Sequence, residues 1–467
     1  MNIRRTKIVA TFGPATVAKT IIEKMIVAGV NVARINMSHY NESMNIDELV
    51  RNIRDISKRL DKSISIMMDL PGPKIRTTNN ETITIKRGDL YTLGLQADIS
   101  LNHKLKFKNI KKGAKVKIDD GKLSFTVQKM ISHSQLLIKA KNGGSVFPRK
   151  GVNISGLDIN LPTAGKQDLK FVNLAIKLNL DWIAMSFVRS ASDRAIIDQL
   201  LNKSKHQIPI IAKIEKSEAI ENLADIIDAF DGILVARGDL GLELDLEKVP
   251  TLQKKIIRKC NLKCKPVIVA TQMLESMIEN PIPTRAEVSD VASAIYDGSD
   301  AIMLSGETAI GKFPLECVRM MKSIASNVEN EILENEEFFN LIPSPDKTNS
   351  RNAICASAFE MAKDLSLKIM IIMTESGSTG NTMSSFRPSS LIFAMTPSEE
   401  VYRKLSLSWG VTPVKVKKYK STDQMLKFCR KFLIENSIIK EGEQFIMTAG
   451  IPVGITGTTN MIKIETI

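Results

Sequence analysis

The sequence predicts an α/β protein: a closed (β/α)8 barrel, a small β-barrel domain inserted in one of its loops, and a carboxyl-terminal α/β domain. Three observations carry this. Eight short, nearly continuous apolar runs recur through the first two thirds of the chain, as suits parallel strands buried on both faces. Helix-length amphipathic segments lie between them. One connection, about 110 residues long, breaks the rhythm with short alternating pieces.

The runs are Lys7–Phe12, Asn31–Ile35, Ile64–Asp69, Trp182–Ser186, Ile210–Ile214, Gly232–Val235, Val267–Ala270 and Ala301–Leu304. Helices are expected at Ala18–Ala28, Met44–Leu60, Leu169–Leu178, Glu218–Phe230 and Thr284–Tyr296. Strand–helix units in series point to a closed barrel rather than an open sheet. The long connection alternates at Thr82–Ile85, Lys115–Ile118, Leu123–Val127 and Gln135–Ala140, punctuated by glycines. It reads as an inserted β domain over 70–160, hinged at Pro71-Gly72-Pro73 and at Lys150-Gly151. The barrel then takes 1–69 and 161–342. Pro343-Ser344-Pro345-Asp346 reads as a linker, and 346–467 as a separate open α/β domain.

The chain has 467 residues, 43% of them hydrophobic and 25% charged, which excludes a stapled miniprotein and extensive disorder. No uncharged apolar run approaches the roughly 18 residues that span a bilayer, and no signal peptide is expected. Five cysteines, an odd number, argue for a reducing cytoplasm. The net charge of +14 is concentrated: residues 101–150 hold thirteen Lys or Arg against Asp119 and Asp120. With aromatics at 5%, stacking platforms for nucleic acid are scarce. The window reads either as a solvated basic surface or as a basic flap over an anionic ligand.

In a barrel of this kind, chemistry gathers at the carboxyl ends of the strands. Here those ends carry Thr11, Arg34-Ile35-Asn36, Asp69 with Lys74 and Arg76 beyond it, Ser186, Lys213-Ile214-Glu215, Arg237-Gly238-Asp239, Thr271-Gln272 and Ser305-Gly306-Glu307. They combine cations and carboxylates without a histidine cluster. Alternation puts Lys213 and Glu215 on one side of their strand, aimed into the barrel mouth. They form either a structural ion pair at the rim or, with Asp239, two hard oxygen ligands for Mg2+ with a lysine beside them. Arg34, Arg76 and Lys213 add charges of the kind that phosphoryl transfer needs. Backbone N–H groups at Gly238-Asp239 suit a carboxylate or phosphate oxygen. Cys260 and Cys264 have no further ligand type nearby in sequence, so a metal there is not expected. The turn around Gly377 either cradles a phosphate or is an ordinary strand–helix turn.

The runs RTKIVATFGP (Arg5–Pro14), VARINMSH (Val32–His39), DLPGPKIR (Asp69–Arg76), IAKIE (Ile211–Glu215), VARGDLG (Val235–Gly241), ATQMLESM (Ala270–Met277), PTRAEV (Pro283–Val288), DGSD (Asp297–Asp300) and MLSGET (Met303–Thr308) closely resemble the pyruvate kinase family, and the resemblance extends over essentially the whole chain. It implies a TIM barrel that transfers the phosphoryl group of phosphoenolpyruvate to ADP, giving pyruvate and ATP in glycolysis. It further implies that Glu215 and Asp239 bind Mg2+ or Mn2+, that Lys213 stabilises the transferring group and that Arg34 grips the same phosphate. Gly238, Asp239 and Thr271 would hold the substrate carboxylate, with Thr271 near the path that protonates the enolate. Asn36, Met37, Ser38, His39, Arg76 and Lys150 would serve the nucleotide. A homotetramer and a phosphorylated effector at Ser376–Thr379 are further implied, with no membrane or nucleic-acid partner.

The chain departs from the family pattern in places. The monovalent-cation cage resembles Asn36, Ser38 and Asp69, but Leu70 and Lys74 stand where many members have Thr and Glu. An ammonium in that region replaces the charge of a bound K+, so K+ is expected to be dispensable. Tyr40 and Ser155 stand where Gly and Pro are common, and Ser376–Gly380 lacks the basic residue that some members carry. Two other classes compete. An aldolase-type barrel would use Lys213 as a Schiff base and needs it neutral. A nucleic-acid-binding protein would use the basic window and bind in a salt-sensitive way.

Overall fold

A computed structural model describes residues 3–39, 45–103, 105–107, 110–157, 162–204, 206–334, 345, 349–452 and 457–467. The eight expected strands close into one parallel barrel, each beside its neighbours in sequence order. Closure pairs Lys7 with Ala301, the first strand with the last. The second strand runs Val32–Asn36, the third Ser65–Asp69, the fourth Trp182–Met185 and the sixth Gly232–Ala236, each limit within one residue of the expected one.

Strand period sorts the barrel's side chains. Val9, Val32, Met67, Trp182, Ala184, Ile211, Leu234, Ala236, Ile268, Ala270, Ala301 and Met303 form the packed interior. The alternate residues, such as Ile8, Ala10, Ala33 and Ile210, pack outward against the helices. Leu407, from the carboxyl-terminal domain, joins the interior cluster and plugs the amino-terminal end of the barrel.

Helix Ile46–Arg59 is capped by Asn45 and carries Asp47 and Glu48 at its start and Lys58 and Arg59 at its end, matching the helix dipole. Thr284 and Glu287 form a capping box on Arg285–Tyr296. The single helix expected over Glu218–Phe230 is two, Ser217–Glu221 and Leu223–Ala229. Between them Asn222 bonds the Arg189 carbonyl at 2.9 Å, an off-helix partner that favours a break.

The inserted unit holds a six-stranded and a two-stranded sheet. It includes strands that the alternation missed: Leu90–Gly94, Ile99–Ser100, Gly144–Val146 and Val152–Ile154. Gly72, at the first hinge, has φ +64°, and a Cβ there would lie 2.8 Å from the Phe187 ring, so glycine is required. At the second, Gly151 pairs with Arg76. Of the proline linker, only Pro345 lies within the described residues. The last domain is a five-stranded sheet, four strands parallel and Thr459–Thr466 antiparallel at one edge. Helix Glu399–Lys404 was not foreseen.

Candidate active site

Barrel alternation continues upward from the apolar interior into polar residues. Val32 is followed on its face by Arg34 and Asn36, Met67 by Asp69, Ala184 by Ser186, and Ile211 by Lys213 and Glu215. Register sets these ends side by side: Asn36 pairs with Asp69, and Asp69 with Ala184.

The result is a buried charge cluster. Asp69, 1% exposed, receives Arg34 Nε at 2.8 Å and Nη2 at 2.5 Å on Oδ2, and Lys213 Nζ lies 3.1 Å from Oδ1. Lys213 also reaches Glu215 Oε1 at 2.9 Å and donates to Ser186 Oγ at 2.7 Å. Arg34 is fixed from behind by Thr11 Oγ1 at 2.8 Å. Glu215 Oε2 accepts the Phe187 N–H at 2.8 Å. Ser186 and Thr11, which the sequence offered only as strand ends, therefore hold the two cations in place. Their strand parity was the signal that could have found them.

The charges tune one another. Burial lowers the tendency of Lys213 to hold its proton, but Asp69 and Glu215 outweigh it and keep the ammonium well above its ordinary value. Burial raises Asp69, but Lys213 and Arg34 bring its carboxyl below the usual range. Glu215 is raised, first by burial and then, against Lys213, by the facing Asp239 carboxylate. Two carboxylates that repel each other, Glu215 buried and Asp239 partly open to solvent, suit a divalent cation.

Gly238 and Asp239 lie in the first turn of helix Arg237–Glu243, inside it rather than before it. A Cβ on Gly238 would lie 2.7 Å from Thr271 Cγ2, so only glycine lets the turn close on Thr271. Thr271 and Gln272 have φ of +79° and +55°. A β-branched residue in that region is a strained outlier, of the kind that marks a functional turn. Lys74 Nζ lies 3.6 Å from Asp239 Oδ1.

The expected nucleotide residues fall into two groups. Met37–His39 form a 3-10 turn after the second strand, where Ser38 donates its N–H to Asn36 Oδ1 at 3.1 Å. The His39 side chain and Tyr40 lie outside the described residues. Arg76 and Lys150 sit at the hinges of the inserted unit. Arg76 Nη1 donates to the Arg149 carbonyl at 3.0 Å, and Lys150 pairs with Asp119 at 2.8 Å. Ser155, just past strand Val152–Ile154, donates its N–H to the Lys115 carbonyl at 2.9 Å.

In the carboxyl-terminal domain, a small cleft of about 50 Å3 opens beside the Ser376–Thr379 turn, where Gly377 has φ +85°. The turn has no basic residue of its own, but the fold brings Lys417, Lys418 and Arg351 to the cleft. Sequence distance had hidden them.

Among known proteins, the pyruvate kinase barrel domain matches residues 3–318 and the pyruvate kinase alpha/beta domain residues 352–465. Pyruvate kinases of Staphylococcus aureus strains USA300 and NCTC 8325 / PS 47 are 43% identical over 476 residues, covering 99% of this chain and 80% of theirs. The crystal structure of a pyruvate kinase from Cryptosporidium parvum superposes with a TM-score of 0.91 at 35% identity, covering 99% of this chain and 96% of that one. Barrel, motifs and full-length likeness agree, and the chain belongs to the pyruvate kinase family.

Proposed function

We propose that this chain transfers the phosphoryl group of phosphoenolpyruvate to ADP, giving pyruvate and ATP, and that the barrel-mouth cluster is where it does so. The observation that carries the reading is Lys213, locked as a cation between Asp69 and Glu215 with Arg34 on the same carboxylate. Such fixed charges stabilise a phosphoryl group in flight without reorganising. Asp69 and Glu215 favour the charged form of Lys213, so in this reading it acts by charge. The same charge argues against the Schiff-base alternative, which needs a neutral amine.

Arg34 grips the phosphate, while the Gly238-Asp239 turn and Thr271 hold the carboxylate. Loss of the phosphoryl group leaves an enolate, whose methylene carbon takes a proton to become pyruvate; the Thr271 hydroxyl lies on that path. Glu215 and Asp239 would hold Mg2+ or Mn2+, and their mutual repulsion is the fit. The cation would supply charge neutralisation to the phosphate oxygens. Asn36, Met37, Ser38, His39, Arg76 and Lys150 serve the nucleotide, with 70–160 acting as a lid that brings Lys150 over it.

K+ is dispensable in this reading. Arg34 and Lys213 already occupy the Asp69 carboxylate, Ser38 engages Asn36 Oδ1, and the Leu70 carbonyl accepts from Ser186 at 2.7 Å. Lys74 takes up the facing side, at Asp239 rather than at Asp69. A phosphorylated effector fits the cleft of Ser376, Thr379, Lys417 and Lys418, and we expect the homotetramer usual in the family. Among the described residues no helix is long and apolar enough to cross a membrane. The five cysteines are free, which supports a cytoplasmic setting. Part of the basic window is engaged within the molecule, since Lys117 donates to the Gly241 carbonyl and Lys122 and Lys150 pair with Asp119, which disfavours the nucleic-acid reading. A coupled assay with phosphoenolpyruvate, ADP and Mg2+, with and without K+, tests the whole; absence of pyruvate would overturn it.

A further inference from the structure

The helix that carries Gly238 and Asp239 in its first turn ends at Glu243. The Glu243 side chain is only 5% exposed and has two partners. Asn153 Nδ2, from strand Val152–Ile154 of the inserted unit, donates to Glu243 Oε1 at 2.7 Å. Lys216, the residue after Glu215, pairs with the same oxygen. The neighbouring strand Lys115–Ile118 reaches the same end of the helix. There Lys117 Nζ donates to the Gly241 carbonyl at 3.0 Å, and Lys115 lies 3.2 Å from Asp245. The last carbonyls of a helix bear partial negative charge, so amide and ammonium donors converge on a natural acceptor.

We propose that Glu243 is a positioning residue, the keeper of a latch that ties closure of the inserted unit to the placement of the Gly238-Asp239 turn and of Glu215. The basic edge of the inserted unit supplies the latch, which gives part of the concentrated positive charge a purpose within the reaction. A helix of seven residues is too short to bend between its ends, so contacts at Gly241 and Glu243 fix the attitude of Asp239. Through Lys216, the same carboxylate steadies the strand end that carries Glu215. The charged pair of Glu243 and Lys216 is buried, so it holds against salt, whereas the Lys115–Asp245 pair is exposed and adds little. This inference rests on Asp239 and Glu215 being the metal-holding groups, but the latch has a readout of its own.

The test uses Asn153→Ala, Glu243→Ala and the double variant of the full chain, with hydrogen exchange measured on the ligand-free protein. Breaking the latch should speed exchange at 115–118, 152–154 and 237–243 by about ten-fold or more, with the remaining barrel strands unchanged. In turnover, kcat should fall roughly five- to ten-fold, and KM should rise both for ADP, which the closed unit covers, and for phosphoenolpyruvate, whose carboxylate the Gly238-Asp239 turn holds. The double variant should be no worse than Glu243→Ala alone, because both changes break one contact. If Glu243→Ala fails to fold, Asn153→Ala alone decides, since it changes only the inserted unit's side of the contact. Unchanged exchange at 237–243 in Asn153→Ala, or additive effects in the double variant, would overturn the latch. Exchange does not depend on turnover, so a failure of the phosphoryl-transfer reading would remain distinguishable from a failure of the latch.

Discussion

Lys213 shows how one side chain is given its task. Its side chain is only 12% exposed, yet its ammonium is bonded to Asp69, Glu215 and Ser186, so desolvation is outweighed and the charged form is favoured. Lys213→Met removes that charge and should lower kcat by about three or more orders of magnitude with substrate binding and fold kept. Steady-state kinetics beside a thermal melt decide it, and turnover within a few-fold of the unaltered protein would count against the assignment. Lys74 carries the second claim at this scale. The protein should run at full rate in tetramethylammonium buffers, and added K+ at fixed ionic strength should change kcat by less than about two-fold, since Arg34 and Lys213 already occupy the Asp69 carboxylate and Lys74, at Asp239, adds like charge across the mouth. Lys74→Glu, alone or with Leu70→Thr, should create a K+ requirement.

At the scale of elements, strand parity and one short helix build the site between them. The fifth strand delivers Lys213 and Glu215 to one face, and the turn of Arg237–Glu243 brings Asp239 against Glu215. Removing either anionic oxygen, as in Glu215→Gln or Asp239→Asn, should raise the half-saturating Mg2+ by about ten-fold or more and depress turnover. The Glu215 carboxyl is held above its ordinary value, so protons compete with the cation earlier than at an ordinary carboxylate. As pH falls toward that raised value, the half-saturating metal should climb. The climb should be shallower in Glu215→Gln, which has no proton to bind there. Metal titrations that overlay the unaltered protein at every pH would reject the pair.

Over the whole molecule, the amino-terminal end of the barrel and the carboxyl-terminal domain share a polar, buried interface. Arg387 meets Asp300 at 3.1 Å, Arg403 meets Asp181 at 2.7 Å, and Lys7 Nζ donates to the Val411 carbonyl at 2.7 Å. Burial, helped by the Arg4 charge and opposed by Glu329 and Asp300, brings the Lys7 ammonium down to about 7 from 10.5. Between those values the unfolded chain binds a proton that the folded one does not. The Lys7 contribution to stability therefore rises as pH goes from about 7 to 10.5 and is at its lowest below 7. Lys7→Met should flatten this part of the pH–stability curve and cost least, or even stabilise, near pH 6. Denaturant melts of both proteins across pH 6–10 check it, and parallel curves would refute it.

Much of this was legible in the chain because strand alternation is local. Eight apolar runs placed the barrel, and period two put Lys213 beside Glu215 before any partner was known. Helix limits fell close for the same reason, except at Asn222, where the decisive partner is a carbonyl more than thirty residues away. Three of the missed strands of the inserted unit hold only two or three residues, too few for alternation to register, and the fourth, Leu90–Gly94, does not alternate in burial. Motif likeness named the residues of the site but not what holds them. That Asp69 would bind both Arg34 and Lys213, that Lys74 would turn to Asp239, that Lys417 and Arg351 would meet the Ser376 turn and that Leu407 would plug the barrel were settled only when distant segments closed on one another. Local sequence fixes which face a side chain takes, because the backbone imposes the period. Which groups it meets there depends on the packing of elements far apart in the chain, and that only the tertiary structure decides.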